Sequence, residues 1–389
     1  MTTSNALDPS LVASTSPLVF PPTKLTTSFS VPTTFRRTLL SPDGTTLLTH
    51  TSDHCLRSFI LPPSLLSSQS HLSLESYSIS SGAHSHAQAF PPYFSLLDSS
   101  TTHVLHSRKD LPIRLTNALD LSYTHASYPL VHGPTESYVC PHSLTFAPDG
   151  TKFVAGSNRL VSIFDLSRDG ERPVAGFQTG QRKRRAGSGL SGLVTALAIC
   201  AETGVLAAGS TDGEVALYEA GGVGEEILSF GSERTERRRG KGVMQVEWDR
   251  LGRYLFTGQR GSDAIAVFDI RRGERKCWLK GRKAETMMRM AFDIVERDEG
   301  VDVWAGGIDG SVRVWKDVTN KEGAVEAEIE WEAHGDAVSS VLVHPSADVV
   351  ITAAGSRGDG SSILDDDYEV KERSHDTPGS DVSLKIWAT

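Results

Sequence analysis

Cys140-Pro-His142 places a thiol two residues from an imidazole, the kind of pair a nucleophilic mechanism uses. His142 opens a strand-like run and Cys140 only precedes it, so the thiol is expected to pack as a small side chain. Gly187-Ser-Gly-Leu-Ser-Gly192 carries the GxGxxG spacing of a phosphate-cradling turn. Such a turn must leave a strand and enter a helix, whose N-terminus meets the pyrophosphate. Here arginines precede it and a strand-turn-strand, Val194 to Ala208, follows; a loop is expected. His334 and Asp381 have no paired nucleophile or acid beside them. No metal-ligand spacing, HExxH helix or nucleophile elbow occurs. No catalytic residue, metal ligand, cofactor or small-molecule substrate is therefore assigned.

The cationic runs are more informative. Arg182, Lys183, Arg184 and Arg185 are consecutive; Arg234, Arg237, Arg238, Arg239 and Lys241 form a second cluster, and Lys280, Arg282 and Lys283 a third. Arg108, Lys109, Arg159 and Arg260 sit singly or paired in polar turns. Guanidinium groups suit phosphate and stack on unpaired bases, so RNA is the expected partner. Two plainer alternatives stay open: solvated loops, and for Arg182 to Arg185 a nuclear address.

Whether these clusters meet depends on the elements that carry them. Apolar residues alternate with a period of two almost everywhere, as in Leu160-Val-Ser-Ile-Phe164 and Val312-Arg-Val-Trp315, with Gly, Asp, Ser and Pro between the runs. No long amphipathic helix is evident. One unit recurs: a strand, a turn such as Pro-Asp-Gly, a strand ending in small residues, a polar turn, then a strand closing on an aromatic. Its closing anchors are Phe59, Phe164, Tyr218, Phe268, Trp315 and Trp387. From Phe164 to Trp315 the steps are about 50 residues each, and the insertion at 356–380 lengthens the last. Phe59 and Phe164 are two such steps apart, which predicts a degenerate unit between them, ending near Pro112-Ile-Arg-Leu115.

Seven four-stranded units predict an all-β fold, a seven-bladed β-propeller of the WD-repeat type. Thr389 follows a third strand directly, so the last blade needs an outer strand; Lys24 to Val31 is expected to supply it and close the ring. The propeller would span 24–389 after a disordered 1–23, with a Ser-rich loop at 62–92 holding one weak strand (His71 to Ile79) and an acidic insertion at 356–380. In such a ring the blade-to-blade connections and the turns between second and third strands share one face. The candidate rim thus comprises Arg108, Lys109, Arg159, Arg182 to Arg185, Arg237 to Arg239, Lys241, Arg260, Arg282 and Lys283, and the acidic insertion would project beside it. WD-type blades also bury a hydrogen-bonded His, hydroxyl, Asp and Trp; His334, Asp381 and Trp387 fit it, and Asp309 with Trp315 and Asp212 with Tyr218 fit it in part.

The 389 residues suffice for such a core, and no apolar run of about 18 residues suggests a membrane span. Met1 to Lys24 lacks the basic start of a secretory signal. The 4 cysteines are scattered, as in a reduced intracellular protein. A formal net charge of -9 argues against coating nucleic acid with the whole surface, and confines RNA to a local basic rim.

Phe35-Arg-Arg-Thr-Leu-Leu-Ser-Pro-Asp-Gly44 with Arg57-Ser-Phe-Ile-Leu-Pro-Pro63 resembles the first blade of the telomerase Cajal body protein family. Ser107-Arg-Lys-Asp-Leu-Pro-Ile113 is similar to its degenerate second blade, and His142 to Gly150 to its third. Gly258-Gln-Arg-Gly-Ser-Asp-Ala264, Phe268-Asp-Ile-Arg271 and Met288-Arg-Met-Ala-Phe-Asp293 resemble further segments, with Phe268 where the family has Trp. The likeness runs from about Phe35 to Trp387. It implies a non-enzymatic nuclear scaffold for small nuclear or telomerase-type RNA of Cajal body particles, sharing them with ribonucleoprotein proteins and folding through the cytosolic chaperonin. Fungal relatives are tied to spliceosomal small nuclear RNA. The alternative is a protein-only WD-repeat scaffold in complex assembly or signalling.

Overall fold

A computed structural model describes residues 9–16, 33–67, 70–180, 190–231, 242–298, 300–355 and 381–389, together with the backbone of 234–235 and 238–239. The described residues hold strands and two short 3-10 turns, and no α-helix. Seven antiparallel sheets form a ring, each with strands a to d from the central channel outward. Blade 1 uses Phe35–Leu40, Thr46–Thr51, Leu56–Ile60 and Ser78–Ser80; blade 2 uses Ser85–Ala89, His103–Arg108, Ile113–Asn117 and Thr124–Tyr128. The expected degenerate unit is therefore blade 2, its third strand ending where the repeat spacing placed it.

Ring closure is made by a different segment from the one expected. Ser10–Thr15, inside the stretch expected to be disordered, pairs antiparallel with Leu384–Ala388 as the outer strand of blade 7. Lys24 to Val31 lies outside the described residues. The 62–92 segment is also more ordered than expected. Instead of one weak strand it holds Leu72–Leu74, which adds a parallel strand to Ser10–Thr15, then Ser78–Ser80 of blade 1 and Ser85–Ala89 of blade 2. Blade 6 repeats the device: Gly323–Val325 reaches back as a parallel fifth strand on Glu274–Leu279 of blade 5. Both additions cover an outer edge that would otherwise expose unpaired backbone groups.

The core lies between blades. Each apolar cluster fills the gap between two neighbours; the one at the closure joins Ala13, Leu384 and Ile386 to Phe35, Leu47 and Phe59. The third-strand anchors Phe59, Phe164, Tyr218, Phe268, Trp315 and Trp387 are all buried. The small residues at the end of strand b have a packing cause. A Cβ on Gly156 would lie 2.6 Å from Val194 Cγ1, and one on Gly209 would lie 2.7 Å from Val243 Cβ. Only glycine lets the first residue of the next blade approach this closely.

Candidate nucleic-acid interface

One face of the ring gathers the blade-to-blade connections. The turns between strands b and c hydrogen-bond to them: Ser52 N–H donates to the Thr34 carbonyl (2.8 Å), Lys109 to His84 (2.9 Å), Arg260 to Gly242 (3.0 Å) and Ile308 to Lys283 (2.9 Å). These elements lie side by side, as the sequence argument required.

The structure distributes the expected rim residues unevenly over that face. Lys109 and Arg159 are exposed. Arg159 holds φ at +50° in the two-residue turn after Ser157, a left-handed backbone that Gly or Asn adopts more easily. Lys283 is exposed and pairs with Asp309 at 2.8 Å. Arg234–Thr235 and Arg238–Arg239 form a small antiparallel hairpin between blades 4 and 5. Arg182 to Arg185, Arg237 and Lys241 lie outside the described residues, as does the acidic insertion.

Two expected rim residues are not on the surface. Arg108 is 5% exposed and donates to the carbonyls of Ser81 (2.9 Å) and Ser80 (3.0 Å). Arg282 is 1% exposed and donates to Gly306 (3.1 Å) and Ala291 (2.8 Å); burial lowers its pKa to about 10. Both guanidinium groups are spent on backbone carbonyls. They hold the fold and are removed from the rim.

In blade 7 the expected His, hydroxyl and Trp are hydrogen-bonded, with the Asp beside them. His334 Nε2 lies 2.7 Å from Thr352 Oγ1, which accepts the Trp387 Nε1–H at 2.9 Å; Asp381 Oδ2 lies 3.4 Å from His334 Nδ1. Contact with His334, then hydrogen bonds from Lys385 and Ser383, hold the Asp381 carboxyl far below its usual range. Blade 6 differs from expectation. Trp315 is fully buried with no partner for Nε1, and Asp309 pairs with Arg313 at 2.7 Å. No histidine precedes the first strand of this blade, so Arg313, four residues on, supplies the cation. Blade 1 does the same with Asp53 and Arg57. In blade 4, Asp212 accepts from Ser191 Oγ at 2.5 Å, the pairing that the end of the GxGxxG loop makes.

Sequence reasoning missed the mouth of the central channel. It is a cavity of about 270 Å³ on the connection face, and Arg36, Arg37, Arg260 and Arg289 line it. Histidines cross it in a chain: ring centroids are 3.7 Å apart for His54 and His84, 5.0 Å for His84 and His86, and 4.6 Å for His86 and His142. Arg36 Nη1 donates to His84 Nε2 at 3.4 Å. Burial, then the Arg36 charge, pushes His50 far below its ordinary pKa; burial, then Arg260, lowers His142. Burial raises the Cys140 thiol to about 11, which fits packing rather than nucleophilicity.

A recurring bulge supplies this lining. Strand a slips register between Phe35 and Arg37, Ser85 and Gln88, Val194 and Ala196, and Val243 and Gln245. The residues within the slips include Arg36, His86, Thr195 and Met244, and all four line the mouth. A bulge re-aims a side chain that regular alternation would turn elsewhere. The usable signal was Arg36-Arg37 at the start of a first strand.

No family model matches the chain. Guanine nucleotide-binding protein negative regulator 1 of Schizosaccharomyces pombe is 30% identical over 290 residues, covering 72% of this chain and 70% of that protein. Telomerase Cajal body protein 1 of Homo sapiens is 26% identical over 322 residues, 82% of this chain and 56% of that protein. Protein SWT21 of Candida glabrata is 24% identical over 248 residues, 60% of this chain and 56% of that protein. The chain thus spans a little over half the length of the human and Candida relatives.

Proposed function

Since the chain belongs to the telomerase Cajal body protein family, we propose that it is a non-enzymatic scaffold that binds small nuclear or Cajal body-type RNA, telomerase RNA included. It works in the nucleus, supports assembly or localisation of ribonucleoproteins together with their proteins, and folds with the help of the cytosolic chaperonin. The observation that carries this is the cationic face of an otherwise acidic chain. Exposed Lys109 and Arg159, the Arg234–Arg239 hairpin and the arginine-lined mouth share the connection side of the ring. Phosphate neutralisation by these groups makes binding fall steeply with salt. The Arg-rich segments 182–185 and 237–241 fall in sequence between strands of neighbouring blades, which is what the rim reading uses.

A second reading, a protein-only scaffold in signalling, is favoured by the name of the fission-yeast relative. Crosslinking in cells followed by sequencing of the bound RNA separates the two. Enrichment of small nuclear RNA supports the first; none above background leaves the second. Reversing Arg237, Arg238 and Arg239 to Glu should weaken RNA retention, and unchanged retention removes that cluster from the interface.

A further inference from the structure

Cations gather at the mouth of the central channel. Arg36, Arg37, Arg260 and Arg289 line it, and no carboxylate does. Arg37 and Arg289 make no ion pair among the described residues. His50, 7% exposed and lining the same cavity, has no hydrogen-bond partner for Nε2. All four arginines are half-buried, and enclosing Arg37 and Arg289 without a paired carboxylate is costly unless a ligand supplies the anion.

The nearest acidic group does not supply it. Glu247 faces Arg37 and Arg289 in the next, deeper part of the channel, and its Oε2 has no partner. Burial and the charge of Asp293 push Glu247 towards the neutral form. Asp293 is already engaged, accepting from the N–H groups of Val343 (2.7 Å) and Ile294 (3.0 Å). Burial, then the like charges of Arg37 and Arg260, drives the Arg289 pKa far down, against a smaller opposing pull from Glu247.

We propose that the mouth of the channel is a phosphate-binding site that takes a terminal phosphate group. Guanidinium forks bind phosphate oxygens in pairs, and four of them converge here. His50 Nε2 adds a polar contact. A cavity of about 270 Å³ is smaller than most pockets for drug-sized ligands, so it admits a phosphate or pyrophosphate group with water and no folded RNA. The phosphate is either the 5′ end of an RNA lying on the surrounding face or a free polyphosphate. The site stands on the chemistry of the cavity; only the RNA end as its source rests on the RNA reading above.

The test uses the full chain and isothermal titration with inorganic pyrophosphate, then a short oligoribonucleotide with a 5′-phosphate and the same sequence with a 5′-hydroxyl. Pyrophosphate should bind with a Kd of about 1 mM or tighter, and Arg289→Gln should weaken it roughly tenfold while Arg168→Gln, at an exposed turn away from the mouth, leaves it unchanged. If Arg289→Gln fails to fold, judged by its melting curve, Arg260→Gln at the half-exposed edge gives the same reading. Preference for the 5′-phosphate end identifies RNA as the source; equal binding of both ends, with pyrophosphate still bound, identifies free polyphosphate. Glu247→Gln should leave pyrophosphate affinity unchanged, because that carboxyl does not line the mouth. No pyrophosphate binding to the folded wild type, or binding indifferent to both arginine substitutions, overturns the proposal. Pyrophosphate binding without any small nuclear RNA in the crosslinking experiment overturns the RNA reading and leaves the site.

Discussion

Arginine is turned inward in two ways in this ring. In blades 1 and 6 it meets a carboxylate four residues before it: Arg57 beside Asp53 and Arg313 beside Asp309, with side chains only 4% and 2% exposed. At the channel mouth, Arg37 and Arg289 have no such partner. Arg313 rises, since the hydrogen bonds it donates to Asp309 and the nearby carboxylate charges outweigh burial, whereas burial lowers Arg37 to about 10. A paired arginine is part of the blade, and an unpaired one is held ready for an anion brought from outside.

The comparison predicts opposite signs for similar substitutions. Asp53→Ala removes the partner of a fully buried guanidinium and should destabilise by about 3–5 kcal/mol, read by urea denaturation. Asp309→Ala should cost less, about 1–3 kcal/mol, because Arg313 keeps Glu330 at 2.7 Å. Gly209→Ala, which forces a Cβ onto Val243, should cost about 1–3 kcal/mol and calibrates an ordinary packing defect. Arg289→Met should leave stability unchanged or raise it by about 1 kcal/mol, since it deletes an uncompensated charge. A loss as large as that of Asp53→Ala would break the comparison, for it would mean that Arg289 is already paired.

Acid sharpens the same contrast. Burial works against ionisation of Asp53, yet hydrogen bonds from Arg57 and Thr51 hold its carboxyl at about 2, below the ordinary value of about 3.9. The folded value is the lower one, so this stabilisation is full above pH 4 or so and lost as the pH falls towards 2. It amounts to about 2 kcal/mol. Wild type should lose that much more stability than Asp53→Asn over this window; parallel acid curves would show that the pair contributes nothing.

The ring was legible because each blade repeats one pattern, and the aromatic at the end of strand c marks its phase even across the degenerate second blade. The network of blade 7 could be read because His334, Asp381 and Trp387 are the residue types it needs. Sequence reasoning places closure at Lys24 to Val31 and Ser10–Thr15 in a disordered stretch; only the pairing of Ser10–Thr15 with Leu384–Ala388 locates it. The rim was half legible. Topology placed Lys109, Arg159 and Lys283 on one face, but no pattern shows that Arg108 and Arg282 turn inward to backbone carbonyls. Arg36 was hidden by a bulge, which breaks the alternation from which inside and outside are inferred. Pairing was hidden too: Asp53 to Arg57 and Asp309 to Arg313 share a spacing that only the fold makes meaningful.

The central claim is that RNA lies on the connection face. Ultraviolet crosslinking of the full chain to its bound RNA, followed by mass spectrometry of the crosslinked peptides, tests it directly. Crosslinks should fall on peptides carrying Arg36, His84, Arg159, Arg238 and Lys283; crosslinks confined to the opposite face, or none above a no-RNA control, would contradict it.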